Sequence, residues 1–431
     1  MRPLPLASGG LAPSSFWGPP FPPPPEVYRL AQLMRQWGGQ LLVVGGWVRD
    51  GLVGLPPGDV DLEVFGLHPR QVLTRLGARA HVVGNHFGII KVGHLDLSFP
   101  RALRRPGGGE EALLEDTDPD LPLVEACRRR DFTANSLVWD PLTSALYDPF
   151  GGFADILSHI LRHVDPESLV EDPLRSLRAA RFVARFGWEV APDTLALLKT
   201  VVTRLPSLPR ERPGDELKKL LTGGNFQRQA WAVLWDLGVV QTLWPELGTR
   251  EDRRWQNIQV ALAHLGDGPE DKEWHRVLAT AVLLHGKEEG VVLAFLERVF
   301  GGEHLLLERV PALLKAYAQV PVCGEENATD GQIRRLALIS PMRWVVKLWE
   351  VLNGNAEPGR RLEVRAQGLG VWEQGPRPLV LGRDLLGEGM TPGPTLGQVL
   401  KVVFEAQLDG AFGDREGGMR WWRRQRDEAG P

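Results

Sequence analysis

Asp59 and Asp61 stand two residues apart in a segment, Asp59-Val60-Asp61-Leu62-Glu63-Val64-Phe65, that alternates polar and apolar side chains as an extended strand does. Residues i and i+2 of a strand face the same side, so the two carboxylates converge on one point. Two anions at that spacing repel unless a cation lies between them, and hard Mg²⁺ with phosphate oxygens suits the pair. Asp96, in a second alternating segment at 94–99, is a candidate third carboxylate. Taken alone, the pair reads more readily as two solvated acids on an edge strand.

Three further clusters carry candidate chemistry. Gly45-Gly46-Trp47-Val48-Arg49-Asp50 follows an apolar run and opens a helical pattern. Paired glycines let backbone N–H groups approach a phosphate, and Arg49 could add a charge-assisted bond, although an ordinary tight turn has the same sequence. The spacing is neither that of a Walker loop nor that of a dinucleotide fingerprint. Arg128-Arg129-Arg130-Asp131-Phe132-Thr133-Ala134-Asn135 gathers cations, an acid and an amide suited to phosphate and ribose oxygens. Glu171-Asp172-Pro173-Leu174-Arg175 opens a helix in which Asp172 is either a simple N-cap or half of an acceptor–donor pair with Arg175. An acceptor beside a donor matches the edge, an amino group next to a ring nitrogen, that cytosine and adenine share.

These residues need a scaffold. Apolar positions in 26–37 recur at helical spacing, Gly38-Gly39 ends that pattern, and 40–44 reads as a buried strand. Alternation at 59–65, 94–99 and in part of 87–92 predicts further strands, whereas helical patterns dominate from about 151, among them 193–205 and 225–237 with Asn225 as N-cap. The expectation is an α+β chain, a small mixed-sheet head followed by a mostly helical remainder. Its divisions are a flexible Pro-rich arm at 1–25, a head at 26–150, a helical neck at 151–224, a helical body at 225–375 and a tail at 376–431. The chain has 431 residues and a formal charge of −4, so no basic coat covers it, and nine of its 50 basic residues are lysine. Two cysteines, Cys127 and Cys323, are too few for a disulfide framework and are read as reduced thiols. No apolar run approaches the 18 residues of a membrane span, and prolines and glycines interrupt any leader-like stretch, so a cytoplasmic protein is expected.

The four clusters, in this order, resemble the class II tRNA nucleotidyltransferase and bacterial poly(A) polymerase family. Tyr147-Asp148-Pro149-Phe150-Gly151-Gly152 with Asp155 is similar to the hinge between head and neck of that family, Arg162-His163-Val164 to the segment before its recognition helix, and Glu211-Arg212 with Glu216 to its next neck helix. The resemblance is strong over 40–222 and thins to an echo at 381–386 and 397–410. It implies addition of C and A residues to tRNA 3′ ends from CTP and ATP, without a nucleic-acid template, by two-metal phosphoryl transfer. By the same resemblance, Asp59 and Asp61 would hold two Mg²⁺ ions, with Asp96 as a further catalytic carboxylate. Gly45, Gly46 and Arg49 would hold the triphosphate. Arg129, Arg130, Asp131 and Asn135 would bind ribose and phosphates. Asp172 and Arg175 would pair with the base, and Arg178 and Arg181 would support that helix and the nucleotide. Arg204, Arg210, Arg212, Lys218 and Lys219, with Arg420, Arg423, Arg424 and Arg426, are candidates for a track along RNA. The implied partners are the tRNA 3′ end and the two nucleotides, with no membrane and no protein partner inferred.

Departures from the family pattern matter. The sparsely basic segment 87–92 favours tRNA nucleotidyltransferase over poly(A) polymerase, and the span from Arg101 to Arg129 is long enough to favour addition of A over a CC-only relative. Glu125-Ala126-Cys127 stands where two acids and a leucine are usual. At Leu283-Leu284-His285-Gly286-Lys287, Gly286 replaces the Asp of a His-Asp phosphohydrolase signature, so His285 is expected to pack rather than bind metal. Trp421 and Trp422 are read as packing residues rather than base-stacking ones. A catalytically idle RNA-binding relative is the reading from a different class.

Overall fold

The computed structural model describes residues 14–83, 89–101, 117–265, 271–320, 328–354 and 357–429. Cys323, the segment Gly107-Gly108-Gly109-Glu110-Glu111, Phe87, Gly88 and the arm before residue 14 lie outside the described residues. The described chain forms two compact units, Met1–Leu208 with Ala232–Leu243 and Pro209–Trp231 with Trp244–Pro431, a division that falls at 208–209 within the expected neck.

The first unit is built on an eight-stranded mixed sheet. In chain order its elements are β1 (Ser15–Phe16), α1 (Pro25–Gln36), β2 (Gln40–Val44), α2 (Gly46–Val53), β3 (Asp61–Phe65), α3 (Pro69–Leu76), β4 (Ala80–Val83), β5 (Ile89–Val92), β6 (Leu95–Ser98), α4 (Leu123–Arg128), β7 (Val138–Trp139) and β8 (Ala145–Tyr147). The strand order is β1-β8-β7-β2-β3-β6-β5-β4, with β3 and β6 parallel and the other pairs antiparallel. All five residues of β2 are buried, as a near-continuous apolar run requires of a central strand. Leu42 and Val44 pack with Phe65, Val138, Ala145 and Tyr147 under Leu123, Ala126 and Cys127 of α4. Burial among these side chains pushes the Cys127 thiol up to about 12, which keeps it a protonated core residue.

Helices follow: α5 (Gly152–Leu157), α6 (Pro166–Glu171), α7 (Arg175–Phe186) and α8 (Pro192–Val201). Helix α5 starts where Asp148 accepts bonds from the N–H groups of Gly152 and Phe153, at 2.7 and 3.0 Å. A side chain at Gly152 would stand 2.2 Å from the Thr133 carbonyl oxygen, so the residue must be glycine for α5 to approach that turn.

Two expectations are corrected. From residue 14 the Pro-rich arm is packed, not free: β1 pairs with β8, and the Trp139 indole donates to the Trp17 carbonyl at 3.0 Å. Trp17 meets Trp47 and Trp139 edge-on at 6.2 and 6.1 Å, and those two stack at 5.6 Å. The proline content hid this anchor, because two strand residues carry no periodicity. The second correction concerns Asp59, which lies in a bend before β3 rather than on the strand. Pro56 and Pro57, with Gly58, precede it and cannot feed a ladder.

The described residues of the second unit are helical. Its first helix is α9 (Glu211–Thr222), and Gln227–Leu237, which spans the division between the units, begins at Gln227 rather than at Asn225. Trp231 lies against Trp255 and Trp244 at 4.8 and 6.5 Å. The helix Lys272–Leu284 is buried from Trp274 to its end except at Arg276, and His285 just beyond it sits edge-on to Tyr317 at 5.1 Å while its carbonyl accepts from Arg254. Among the described residues no three His, Cys, Asp or Glu side chains are grouped to hold a metal. Trp422 is buried with Val380, Leu385, Val403 and Met419, and Trp421 packs beside Phe412. Among the described residues no helix is long and apolar enough to cross a membrane.

Replacing Trp17 with Ala removes two edge contacts from a half-buried site. The first unit should lose about 2–3 kcal/mol, somewhat less than full burial would give. Urea unfolding of Trp17→Ala against Phe16→Ala, whose ring is 75% exposed, checks this: only the first should shift the midpoint.

Candidate active site

Strand register assembles the acids. Asp61 is the Cα partner of Val44 on β2 and of Asp96 on β6, and Asp96 is the partner of Lys91 on β5. Because partners share a face, Asp61, Asp96 and Lys91 form a row across three strands, with Glu63 two residues along β3 from Asp61 on the same face. Lys91 Nζ pairs with Asp96 at 3.0 Å. The Asp61 carboxyl is held above its ordinary range, first by partial burial, then against the pull of Arg130 by Asp59 and Asp96. Crowded acids of this kind favour a shared cation, and their oxygens are hard donors that fit Mg²⁺.

The turn after β2 reaches the same place. Gly45 has φ +73°, and a Cβ there would stand 3.1 Å from Arg130 Nη1 and 3.5 Å from Asp61 Oδ2. Arg130 donates to Glu63 at 3.1 Å and to the Asn135 carbonyl at 3.4 Å. Burial works against its charge, but Glu63 and Asp61 keep it protonated. Glu63 is a site residue that sequence reasoning passed over, although its i+2 spacing from Asp61 was visible.

Several residues expected to contact the nucleotide are buried and bonded to other side chains. Arg49, 4% exposed, donates through Nε and Nη2 to Asp50 Oδ1 at 2.9 and 2.6 Å and through Nη1 to Asn135 Oδ1, with its guanidinium 4.9 Å from the Phe182 and Phe186 rings. Arg185 holds the other Asp50 oxygen at 2.8 Å. Asp131 accepts from Asn135 and from the Phe132 N–H on Oδ1, both at 2.8 Å, and from Arg178 Nε and Nη2 on Oδ2 at 2.8 and 2.6 Å. The polar atoms of Arg49, Asp131 and Asn135 are thus met by protein, and they tie α2 and the 133–135 turn to α7. Arg181 lies 5.0 Å over the Phe182 ring on the same helix.

Asp172 and Arg175 do adjoin one another, but not as an N-cap and its helix. Helix α6 ends at Glu171, Asp172 Oδ1 accepts from the Leu174 N–H at 3.0 Å, and α7 starts at Arg175. Arg175 Nη1 donates to Ser168 O and Oγ at 2.6 and 2.9 Å, and Nη2 to the Arg129 carbonyl at 2.7 Å. Arg129 in turn donates to the Arg101 carbonyl at 2.7 Å. Of the expected RNA contacts, Arg204 donates to the Val170 and Glu171 carbonyls at the end of α6. On α9 and the residue before it, Lys218 is held by Asp215 and Glu303, Lys219 pairs with Glu216 at 3.4 Å, and Arg210 and Arg212 are exposed.

Asp131→Asn should cost about 2–3 kcal/mol, because it leaves Arg178 beside a neutral group. Burial raises the Asp131 carboxyl, but Arg178 and the two N–H donors outweigh it and hold the group below its usual range. The contribution is therefore full above about pH 4 and lost as pH falls further. Urea midpoints of wild type and Asp131→Asn, followed from pH 7 to 3, should converge at the acid end.

Residues 41–162 match the family described as the poly A polymerase head domain, and residues 187–249 match the probable RNA and SrmB-binding site of polymerase A. A multifunctional CCA protein of Xanthomonas campestris is 38% identical over 217 residues, 48% of this chain and 51% of that relative. One from Stenotrophomonas maltophilia is 42% identical over 190 residues, 42% of this chain and 46% of the relative. The chain thus spans about half the length of these curated relatives in the matched regions. The Bacillus stearothermophilus CCA-adding enzyme in complex with CTP superposes with a TM-score of 0.72 at 25% identity, covering 93% of this chain and 96% of that one. The Thermotoga maritima CCA-adding enzyme complexed with tRNA shares the fold, with a TM-score of 0.64 at 21% identity and 94% and 96% coverage. These likenesses agree with the sheet topology and the acid row: residues 41–162 match the poly A polymerase head domain, and the chain as a whole is similar in fold to the CCA-adding enzyme of Bacillus stearothermophilus.

Proposed function

We propose that this protein is a tRNA nucleotidyltransferase that adds C and A residues to tRNA 3′ ends from CTP and ATP, acting in the cytoplasm without a nucleic-acid template. The observation that carries this reading is the placement of Asp61 in strand register with Asp96 and 3.5 Å from the position a Gly45 side chain would occupy, so that metal-type donors and a phosphate-type turn share one point. Asp59 and Asp61 would hold Mg²⁺, which when bound lowers the pKa of the attacking hydroxyl and offsets charge on the phosphates. The Gly45-Gly46 turn would meet the triphosphate, and Arg130 stands beside it as a fixed cation. Asp172 supplies the acceptor and Arg175 the donor for the cytosine or adenine edge, with Arg175 held in place by the carbonyls of residues 129 and 168. Arg49, Asp131, Asn135 and Arg178 act as positioning residues behind these contacts. Among the exposed cations of the second unit, Arg210, Arg212 and Lys219 support contact with RNA phosphates.

Nucleotide incorporation with Mg²⁺ on tRNAs ending before CCA, after C and after CC, with CTP and ATP supplied separately and together, tests the reading. The expected outcome is completion of CCA on all three. Addition of A to the CC end alone, of C alone, or of long adenosine tails would replace it with the corresponding specialist. Asp59→Ala and Asp61→Ala should each lower addition on the order of 10³-fold while leaving tRNA affinity unchanged. Survival of addition in these variants would remove the metal assignment, and no incorporation by wild type would leave an RNA binder.

A further inference from the structure

A cavity of about 590 Å³ opens beside the acid row, lined by Asp59, Asp61 and Asp96 together with Lys91 and His94. Its lining also includes Phe21, Pro22 and Pro24, which belong to the Pro-rich arm rather than to the sheet, and Trp47. The volume suits one nucleotide-sized group. Neither the Gly45-Gly46 turn nor Asp172 and Arg175 line it, so the groups assigned to the incoming nucleotide lie outside this cavity.

The arm segment is held at both ends. Before it, β1 pairs with β8 and Trp17 sits in the tryptophan cluster; after it, α1 buries Val27, Leu30 and Met34. Phe21, Pro22 and Pro24 are therefore a fixed wall. Prolines carry no backbone N–H, and a phenyl ring offers only a face, so this wall has little with which to read the edge of a base. Stacking on such a surface is tolerant of base identity. An acceptor site needs that property if it is to hold both a tRNA ending before CCA and one ending in C, and Lys91, paired with Asp96 at 3.0 Å, places a cation in the lining for the adjoining phosphate.

Resting on the function proposed above, we propose that Phe21, with Pro22 and Pro24, stacks on the 3′-terminal nucleoside of the acceptor RNA and positions its hydroxyl at the acid row. Phe21 is thus a positioning residue for the acceptor and not for the incoming nucleotide. Steady-state addition by the full chain, with KM measured separately for the tRNA acceptor and for CTP, tests it. Phe21→Ala should raise the acceptor KM by about 5- to 150-fold, with the CTP KM unchanged. The rise should be similar for acceptors ending before CCA and after C, and Phe21→Trp should restore wild-type behaviour. Phe21→Leu keeps apolar bulk without a ring face and should remain impaired, with an unchanged melting temperature. An active Phe21→Ala enzyme with an unchanged acceptor KM, a rise in the CTP KM instead, or full activity in Phe21→Leu would overturn the acceptor wall alone. Absence of addition by wild type would overturn the underlying functional reading and the wall with it.

Discussion

Burying a guanidinium is costly unless its charge and its donors are met, and Arg49 is buried in the middle of the first unit. It is met by Asp50, by Asn135 and by the faces of Phe182 and Phe186. Asn135 then bonds Asp131, which bonds Arg178, while Asp50 bonds Arg185. The resulting loop of charge runs from α2 through the 133–135 turn to α7 and back. Such a network has one satisfied arrangement, since moving any member strands another without a partner. The glycine turn that starts α2, Arg130 just before the network, and Asp172 and Arg175 at the start of α7 are therefore fixed relative to one another.

The acid row has the opposite character. Its members repel, and the fold tolerates this by surrounding them with compensating cations: Arg130 against Glu63 and Asp61, Lys91 against Asp96. Asp59 sits off the strand in a proline-flanked bend, where its carboxylate is set by loop geometry rather than by a ladder. The cavity in front of the row is completed by the arm, whose prolines the tryptophan cluster keeps in place. A rigid network behind and a charge-strained row in front together describe a site built to receive cations and phosphates.

The second unit explains how a chain of net negative charge carries 50 basic residues without a basic coat. Many of those residues are committed to neighbours: Lys218 to Asp215 and Glu303, Arg335 to Glu405 and Asp409, Arg415 to Asp384, Arg423 to Glu388. Trp231, Trp244, Trp255 and Trp422 are buried in its core, and His285 packs on Tyr317.

Period-two alternation at 59–65 and 94–99, the apolar run at 40–44 and the glycine pair at 45–46 made the head and its acid residues legible, because each is a local pattern that backbone geometry converts directly into a face or a turn. The order of the four motifs carried the family resemblance in the same way. What no local pattern contains is which strands become neighbours. The register that sets Asp61 beside Asp96 arises from parallel pairing of β3 with β6 across a long connection, and Asp96 meets Lys91 across the antiparallel β5–β6 pair. Likewise, local sequence marks Arg49 and Asp131 as candidates for triphosphate and ribose contact but does not show that packing buries them and pairs them with partners 86 and 47 residues away. The sequence thus determined the chemical types at the site. The tertiary structure decided which of them remain open to a ligand, because desolvation and strand register are properties of the assembled core.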